Sequence, residues 1–474
     1  MGGQGVRNLF VVGIAIAAVL MASATAFAGT IQVKNEKDSG KGSLRKAIAD
    51  AQAGDTVAVP KGEYRLTSGP LEVATAIEVK GAGAKKTVID GQKSSRVFNV
   101  IAGVSPAKFT KLTVTGGKAE DGAGISNDGD LTLDHVLVTK NRASQSGGGI
   151  ETQGPLTLVE SEITRNRAKA AEDQAFGGGI ATNGSVINVS QSTIAKNKVT
   201  SNGEATYGGA IYFSAVDEAA GLFIDRSTIA GNSAKGLGAY GGGVYFEPVI
   251  NTGGAGAIDL MITQSTLSGN KVEGPSNSPS GGAVYFAPIA NGALSSSSFI
   301  LENSTVANNL VRAPGDHAQG GGLHLAPLAS SGAQTPQAIS NSTIAGNVAE
   351  GDVATGGGIN FGLSGGIPTA KNTIVANNEA DTGVEGCSSG LASLQGNLER
   401  GMTCGFNEPN DVGDFNPKLS ALDDRGGETQ TMGLPANSPA VDSAYGPNCL
   451  PIDQRGTIRP QGTSCDVGAF EREQ

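Results

Sequence analysis

One pattern recurs along most of this chain and limits what it can fold into. Each copy has a short Ser-Thr-aliphatic strand, an Asn, a loop of small residues, and usually Gly-Gly-Gly or Gly-Gly-Ala before another aliphatic residue. One copy is STIAGNSAKGLGAYGGGVYF, from Ser227 to Phe246. The aliphatic residue after the glycines recurs at intervals of 25 to 40 residues, as Ile125, Ile150, Ile180, Ile211, Val244, Val284, Leu323 and Ile359. A repeat of this length indicates a solenoid, a propeller or an array.

An asparagine series keeps step with the glycines. We assign to it Asn141, Asn166, Asn197, Asn232, Asn270, Asn309, Asn347 and Asn377. Asn tolerates the left-handed backbone of a tight corner, and stacked Asn side chains can hydrogen-bond to one another. We therefore predict a structural Asn column, with a row of outward metal or sugar contacts as the alternative.

Each repeat contains three strand-like pieces, which in one unit are Gly147 to Thr152, Leu156 to Ser161 and Glu162 to Ala168. A propeller needs four longer antiparallel strands and tight hairpins in each blade. Short strands with 72 glycines at the corners instead favour an all-β, right-handed parallel β-helix. The eight repeats and two or three earlier rungs give about ten rungs with three strands each, and stacking at about 4.8 Å makes a rod about 50 Å long.

Both ends of the solenoid need covering, since an uncovered end exposes an unpaired edge and an open core. Within residues 38–66, the helical spacing of Leu44, Ala47, Ile48 and Ala51 predicts a short capping helix, with Ser43 as N-cap and Gly54 at its end. The whole β-helix, including this cap, is expected to span residues 29–377, with the regular repeat starting at Gly122. Residues 378–474 lose the period and are expected to form a C-terminal cap.

The first 28 residues have the pattern of a secretory signal peptide: Arg7, an apolar run from Leu9 to Met21, and Ala26-Phe27-Ala28 as cleavage site. The apolar run is too short to span a bilayer, so we expect no membrane span after removal. We expect a bacterial protein that is secreted or periplasmic, with association with the cell surface as a further option. The remaining chain has 33 basic and 44 acidic residues, and this balance argues against nucleic acid as a partner.

All four cysteines lie in the last 90 residues: Cys387, Cys404, Cys449 and Cys465. An even number in an exported chain indicates two disulfides. Of three possible connectivities, Cys387 with Cys404 and Cys449 with Cys465 is favoured. Zinc is the alternative, although no Cys-x-x-Cys spacing and no nearby histidine support it.

Three segments resemble known families. GSLRKAI and GDTVAVPKGEY, near residues 42–64, resemble the CSLREA-type capping segment of pectin-lyase-like β-helix proteins. The GGGI and I-x-x-N units resemble polymorphic outer-membrane protein repeats of the chlamydial type. The tail, with RGGETQTMGLPANSPAVDSA, DQRGTIRP and CDVGAFE, resembles bacterial choice-of-anchor Q proteins. These resemblances imply an exported, surface-associated β-helix, a class mostly without an assigned activity.

Strand alternation predicts a second column of side chains. If Val244 and Phe246 point inward, Tyr245 between them points outward. The equivalent outward residues are Glu151, Ala181, Tyr212, Tyr245, Tyr285, His324 and Asn360. Tyr212, Tyr245, Tyr285 and His324 are our candidate ligand contacts, because aromatic faces pack against sugar rings. The alternative is that these rings stack between rungs and stabilise the sheet.

No catalytic or metal-binding residue emerges from the sequence. Glycoside hydrolysis needs two carboxyl groups about 5 to 9.5 Å apart. The acids Glu160, Asp225 and Glu302 recur at equivalent positions, but amides interrupt the series. We therefore expect a non-enzymatic surface or extracellular component with a structural or adhesive role, which contacts a polysaccharide or an envelope surface and needs no cofactor. A polysaccharide lyase or glycoside hydrolase is the alternative, with calcium only for the lyase.

Overall fold

The computed structural model describes residues 28–218, 220–251, 257–330, 332–381, 383, 385–446 and 449–473. The predicted signal peptide therefore lies, apart from Ala28, outside the described residues. Within them the fold is almost entirely β, and four long, all-parallel sheets run the length of the molecule. The predicted parallel β-helix is confirmed.

The first sheet has thirteen strands: Thr30–Gln32, Thr56–Val59, Glu78–Gly81, Ala107–Thr110, Leu131–Asp134, Leu156–Val159, Val186–Ser190, Gly221–Asp225, Asp259–Thr263, Phe299–Glu302, Gln337–Ser340, Thr369–Lys371 and Ala392–Ser393. The second sheet has twelve: Gly62–Arg65, Thr87–Asp90, Thr113–Thr115, Leu137–Thr139, Glu162–Thr164, Thr193–Ala195, Thr228–Ala230, Thr266–Ser268, Thr305–Ala307, Thr343–Ala345, Ile374–Ala376 and Leu398–Glu399.

The third sheet also has twelve strands: Lys118–Asp121, Arg142–Ser146, Arg167–Ala170, Ala175–Phe176, Lys198–Ser201, Thr206–Tyr207, Ser233–Lys235, Ala239–Tyr240, Lys271–Glu273, Leu310–Gln319, Val348–Thr355 and Glu379–Ala380. The fourth has ten: Leu71–Val73, Phe98–Val100, Ile125–Asn127, Ile150–Thr152, Ile180–Asn183, Ile211–Ser214, Val244–Phe246, Val284–Phe286, Leu323–Leu325 and Ile359–Phe361. Smaller elements are the parallel strands Val249–Ile250, Ile289–Asn291 and Leu328–Ser330, the antiparallel pair Leu422–Asp423 and Thr431–Met432, and the 3-10 turn Leu363–Gly365.

A middle rung crosses four sheets, where the sequence predicted three strands. The piece from Glu162 to Ala168 divides at Asn166 into Glu162–Thr164 and Arg167–Ala170. Asn166 is buried and turns the chain between the second and third sheets. The corner residue that marks the repeat therefore also creates the additional strand.

The core runs along the inside of the rod. Register pairing places Ile211 on Val244 and Phe213 on Phe246, and all four side chains are fully buried. The Phe213 and Phe246 rings stack with centroids 4.6 Å apart. Equivalent residues thus pack directly above one another, as expected of a solenoid whose rungs contact their neighbours.

The buried asparagines form a continuous ladder at the corner between the second and third sheets. In each step one Asn side chain accepts hydrogen bonds from the backbone N–H and the Nδ2 of the Asn one rung earlier. The members are Asn141, Asn166, Asn197, Asn232, Asn270, Asn309, Asn347 and Asn378.

The assignment of Asn377 to this ladder was wrong. The Oδ1 of Asn378 accepts from Asn347 N and Nδ2, at 3.0 and 2.9 Å. Asn377 has a positive φ of 56° and is exposed, and its Oδ1 accepts from Arg400. The error arose because Ile374 and Val375 are both aliphatic, and Val375 is the one that pairs with the inward Ile344 of the previous rung.

The glycines turn the corner between the third and fourth sheets, where neighbouring rungs approach closely. A Cβ atom on Gly178 would lie 2.4 Å from the carbonyl oxygen of Gly209 in the next rung. Any larger residue there would force the rungs apart. This explains why the glycines recur with every rung.

The N-terminal capping helix is confirmed and spans Leu44–Asp50. The Ser43 side chain accepts a hydrogen bond from the backbone N–H of Lys46, as an N-cap does. Leu44, Ala47 and Ile48 are buried. The helix ends earlier than predicted, because Ala51 is already extended before the chain reaches Gly54.

The C-terminal region both ends the rod and returns along it. Strands Glu379–Ala380, Ala392–Ser393 and Leu398–Glu399 still pair with the main sheets, so the solenoid continues past residue 377. Disulfides join Cys387 to Cys404 and Cys449 to Cys465, the pairing that the sequence favoured.

The last part of the chain then packs against the outer face of the second sheet. Thr305 Oγ1 donates to Gln454 Oε1 at 2.6 Å, and the backbone N–H of Gly468 donates to the Asn372 carbonyl at 2.9 Å. Gln191, much earlier in the rod, donates to the Glu428 carboxylate at 3.2 Å. We call residues 428–446 and 449–472 the tail segment; it lies along the flank of the rod.

Candidate functional site

Two columns of outward side chains converge across the glycine corner. On the third sheet, register pairing stacks Asp121, Ser146, Phe176, Tyr207 and Tyr240. On the fourth sheet it stacks Glu151, Ala181, Tyr212, Tyr245, Tyr285 and His324. We call the ring-bearing part of both columns the aromatic corner: Phe176, Tyr207, Tyr212, Tyr240, Tyr245, Tyr285 and His324.

The rings of the aromatic corner contact one another along and across the columns. Tyr245 stacks on Tyr212 with centroids 5.5 Å apart and on Tyr285 at 5.0 Å. His324 stacks on Tyr285 at 5.0 Å. Tyr207, from the other column, meets Tyr245 edge-on at 4.9 Å. Offset and edge-on pairs at these distances are attractive, so the rings stabilise one another.

This packing buries side chains that the sequence suggested would be free for ligand. Tyr245 is 6% exposed and His324 is 7% exposed. Tyr212 and Tyr285 are partly buried. The expectation of an open aromatic face was wrong at Tyr245 and His324. The third-sheet ring Tyr207 covers Tyr245, and the His324 ring stacks on Tyr285.

Burial perturbs three titratable side chains at the buried end of the aromatic corner. The Tyr245 hydroxyl donates to the Glu247 carboxylate, and burial together with that carboxylate raises the pKa of Tyr245. Burial also raises the pKa of Glu247. Burial lowers the pKa of His324 to about 4, so its imidazole is uncharged at neutral pH.

The aromatic corner opens at its N-terminal end into a small pocket. The cavity has a volume of about 240 Å³ and is lined by Asp121, Gln145, Ser146, Glu151, Phe176, Asn183 and Tyr212. Phe176 and Tyr212 contact each other with centroids 4.8 Å apart and form its aromatic wall. We call this cavity the carboxyl pocket, because Asp121 and Glu151 provide its acidic groups.

Both carboxyl groups of the carboxyl pocket have raised pKa values. Burial and the neighbouring Asp121 raise the pKa of Glu151 to about 7, and the positive charge of Arg96 partly opposes that rise. Burial and Glu120 also raise the pKa of Asp121. Glu151 therefore stays largely protonated at mildly acidic pH, where a solvated glutamate would be ionised.

Arg96 is fixed beside these carboxyl groups by the backbone. Its Nη2 donates to the Asp121 carbonyl at 2.7 Å, and its Nε donates to the Gly122 carbonyl at 3.0 Å. A guanidinium held in this way supplies positive charge next to the pocket without closing it. A carboxyl pair, a nearby cation and an aromatic wall thus lie together at one end of the corner.

Sequence reasoning missed the carboxyl pocket. Strand alternation places Glu151 in the outward column, but it relates only residues that lie on the same sheet. Asp121 belongs to a different sheet and reaches Glu151 across the corner at Gly122, where the ideal Cβ position lies 3.0 Å from the Glu151 Cβ. The available signal was an acid immediately before one glycine run and an acid immediately after the next.

The acids that recur at equivalent positions in the sequence do not form a carboxyl pair in the structure. Glu160 contacts His135, with 2.9 Å between Oε2 and Nε2. Asp225 pairs with its neighbour Arg226 at 2.8 Å. Both pairs are substantially exposed, and exposed ion pairs contribute little to stability. These positions form surface contacts at the corner between the first and second sheets.

Within the part of the chain that the structure describes, no three His, Cys, Asp or Glu side chains group closely enough to hold a metal ion. In the same residues, no helix has the length and apolar character needed to cross a bilayer.

Among solved structures, the chain is similar to a pectate lyase, Pel9A, at 13% identity and a TM-score of 0.45, covering 94% of this chain and 97% of that one. It is also similar to a PL6 alginate lyase solved with a trisaccharide, at 12% identity and a TM-score of 0.28, covering 85% and 91%. The sequence matches no protein-family pattern and no curated protein. Similarity at this level does not assign an activity. The four all-parallel sheets of the chain itself make it a parallel β-helix protein.

Proposed function

We propose that this protein is an exported, surface or extracellular β-helix that binds a glycan, and that the carboxyl pocket holds one sugar residue of it. The observation that carries this proposal is the pocket's combination of an aromatic wall with carboxyl, amide and hydroxyl groups. Aromatic faces pack against the apolar face of a sugar, while the polar groups bind its hydroxyls.

The size of the pocket supports a single sugar ring. Its volume of about 240 Å³ is below the range of about 300 to 1,000 Å³ typical of pockets for drug-sized ligands. The buried aromatic corner behind it holds Phe176 and Tyr212 in position. A preformed wall lowers the entropy lost on binding.

The test is glycan binding by paired asparagine variants. A glycan array identifies a ligand for the wild type, and calorimetry then compares Asn183→Ala with Asn188→Ala. Both side chains are exposed, but only Asn183 lines the pocket. We expect Asn183→Ala to weaken binding about tenfold, the cost of one lost hydrogen bond, and Asn188→Ala to leave it unchanged. No glycan bound by the wild type, or equal affinity in both variants, contradicts the proposal.

A second candidate function is glycoside hydrolysis in the same pocket. Glycosidases pair one protonated and one ionised carboxyl group, and the raised pKa of Glu151 beside Asp121 is the observation that favours this chemistry. Glu151 would give its proton to the leaving glycosidic oxygen as the bond to the anomeric carbon breaks. Water would add to that carbon, and Asp121 would accept the water's proton.

Binding and hydrolysis are separated by Glu151→Gln, which keeps the side chain's shape and removes its acid. If the protein hydrolyses its glycan, this variant still binds it but releases no reducing ends. A lyase would release an unsaturated product instead, and calcium addition tests that alternative. Glycan that stays intact with the wild type leaves binding alone as the function.

A further inference from the structure

The outer face of the third sheet carries an uncompensated column of positive charge. Register pairing aligns Lys118, Arg142, Arg167 and Lys198 on successive rungs, each roughly 4.8 Å from the next. Beside it, at the corner with the second sheet, Lys140, Arg165 and Lys196 are exposed. We call these seven residues the cationic stripe.

None of the seven side chains forms an ion pair among the described residues. Like charges directly opposite each other on neighbouring strands repel and destabilise a sheet. The protein as a whole has a net charge of −10, so the stripe does not follow from its composition.

Later rungs of the same sheet show the ordinary arrangement. Lys235 pairs with Glu273 at 3.3 Å, and Arg312 pairs with Glu350 at 2.6 Å. These four residues form one column that alternates in sign, and each of its cations pairs with an acid of the next rung. Cations on the later rungs of this sheet are therefore neutralised by acids, whereas those from Lys118 to Lys198 are not.

The corner residues add an independent observation. Lys140, Arg165 and Lys196 have positive φ values of 58°, 58° and 57°. In the rungs that follow, the same corner is turned by Gly231, Gly269, Asn308, Gly346 and Asn377. At this corner, long cationic residues thus occupy a backbone conformation that Gly and Asn adopt more easily, and they do so only on the rungs of the stripe.

A groove follows the start of the stripe. It has a volume of about 650 Å³, and its lining includes Lys93, Lys118, Arg142 and Lys169. Lys93 and Lys169 extend the positive surface on either side of the column, and neither forms an ion pair in the described part of the chain.

We propose that the cationic stripe binds a linear, carboxylated polysaccharide lying parallel to the rod axis. A polymer with regularly spaced carboxylates supplies the negative charges that the rungs lack, and guanidinium groups pair with carboxylates through two parallel hydrogen bonds. The outward positions beside the stripe, such as Glu120, Ser144 and Thr200, carry no aromatic ring on which a nucleobase could stack. This site is separate from the carboxyl pocket.

The experiment uses the full chain and an oligogalacturonate of defined length, with calorimetry at low salt and at about 0.15 M ionic strength. Arg142→Gln combined with Arg167→Gln removes two stripe charges. The matched control combines Lys235→Gln with Arg312→Gln, which removes two paired charges from the same sheet. We expect the stripe variant to lose affinity about tenfold or more at low salt and the control to match the wild type.

Affinity of the wild type should also fall as salt is raised, and the thermal stability of the stripe variant should equal or exceed that of the wild type, because repulsion has been relieved. Wild-type protein that does not bind the oligogalacturonate, or equal losses in both variants, would overturn the proposal. Tighter binding of single-stranded DNA of matched charge would overturn the choice of a polysaccharide. The carboxyl-pocket variant Asn183→Ala should leave this binding unchanged, which separates the two sites.

Discussion

The Oδ1 atom of Asn232 accepts two hydrogen bonds from Asn197, one from its backbone N–H at 2.9 Å and one from its Nδ2 at 3.1 Å. The Nδ2 of Asn232 in turn donates to the Ile194 carbonyl at 2.9 Å. Both asparagines are buried. One side chain therefore satisfies backbone and side-chain groups in two directions.

We predict that Asn232→Ala destabilises the protein by about 3 kcal/mol, because buried donors of Asn197 and a backbone carbonyl lose their partner. Asn188→Ala is the matched control: this exposed strand residue lies outside the ladder and should change stability by about 0.5 kcal/mol or less. Chemical denaturation followed by circular dichroism measures both. Equal effects of the two substitutions would mean that the Asn ladder does not stabilise the corner.

Tyr245→Ala should cost about 3 to 5 kcal/mol, the range for removing a buried aromatic ring. Tyr245→Phe keeps the ring stack and loses only the hydrogen bond to Glu247, so we expect about 1 kcal/mol. Thermal and chemical denaturation of the two variants give the comparison. A Tyr245→Ala protein as stable as the wild type would show that the aromatic corner contributes no packing energy.

Glu151 makes the protein less stable as pH rises. Its pKa is raised from 4.5 to about 7 in the folded state. As pH rises, the carboxyl group therefore ionises in the unfolded chain at a lower pH than in the folded one, and this ionisation favours unfolding. This contribution to folding is complete below about pH 4.5 and is lost by about pH 7. Because the group is partly exposed, we expect a loss of only about 1 to 2 kcal/mol.

Melting temperatures of wild type and Glu151→Gln, measured between pH 5 and pH 8, test this sign. The substitution should reduce the fall with pH, because glutamine does not ionise. Glu162→Gln, at an exposed position, is the control for removing a negative charge. An unchanged slope in Glu151→Gln would place the pH dependence on other groups.

Gln454 attaches the tail segment to the rod. Its Nε2 donates to Thr266 Oγ1 at 2.9 Å and to Thr429 Oγ1 at 2.8 Å, and its Oε1 accepts from Thr305 at 2.6 Å. All four side chains are buried. We predict that Gln454→Ala releases the tail, since several buried polar groups lose partners at once.

Hydrogen exchange followed by mass spectrometry measures this release. In Gln454→Ala, the amides of residues 449–472 should exchange about tenfold faster or more, while those of the Asn ladder keep their protection. Gln430→Ala is the control, because that side chain is exposed. Faster exchange throughout the rod would mean that the change acts on the whole fold.

The repeat predicts the β-helix and its inward residues, because each rung repeats the same burial pattern, and helical spacing predicts the capping helix. The repeat does not decide between two adjacent residues that would both fit the inward position. The adjacent Ile374 and Val375 offered two registers, and only pairing with Ile344 shows that Val375 is the inward residue. Asn377 and Asn378 were exchanged for the same reason.

The carboxyl pocket and the tail depend on contacts that a repeat does not encode. Asp121 and Glu151 lie on different sheets and meet only because the glycine corner brings those sheets together. Tyr245 is covered by Tyr207, which lies on the third-sheet strand Thr206–Tyr207 just before the glycines. Alternation within one strand predicts which way a side chain points, and it does not predict what covers it.

The course of the tail segment affects how the molecule unfolds. Rungs that touch only their neighbours can separate one after another, so a solenoid can lose its ends while its middle persists. Here Gln191, Thr305 and Asn372 lie on distant rungs and all bond to one terminal stretch of chain. Opening a middle rung therefore also breaks the contacts between the tail segment and the adjacent rungs. We infer that the tail segment acts as a longitudinal brace that makes unfolding of the C-terminal half cooperative.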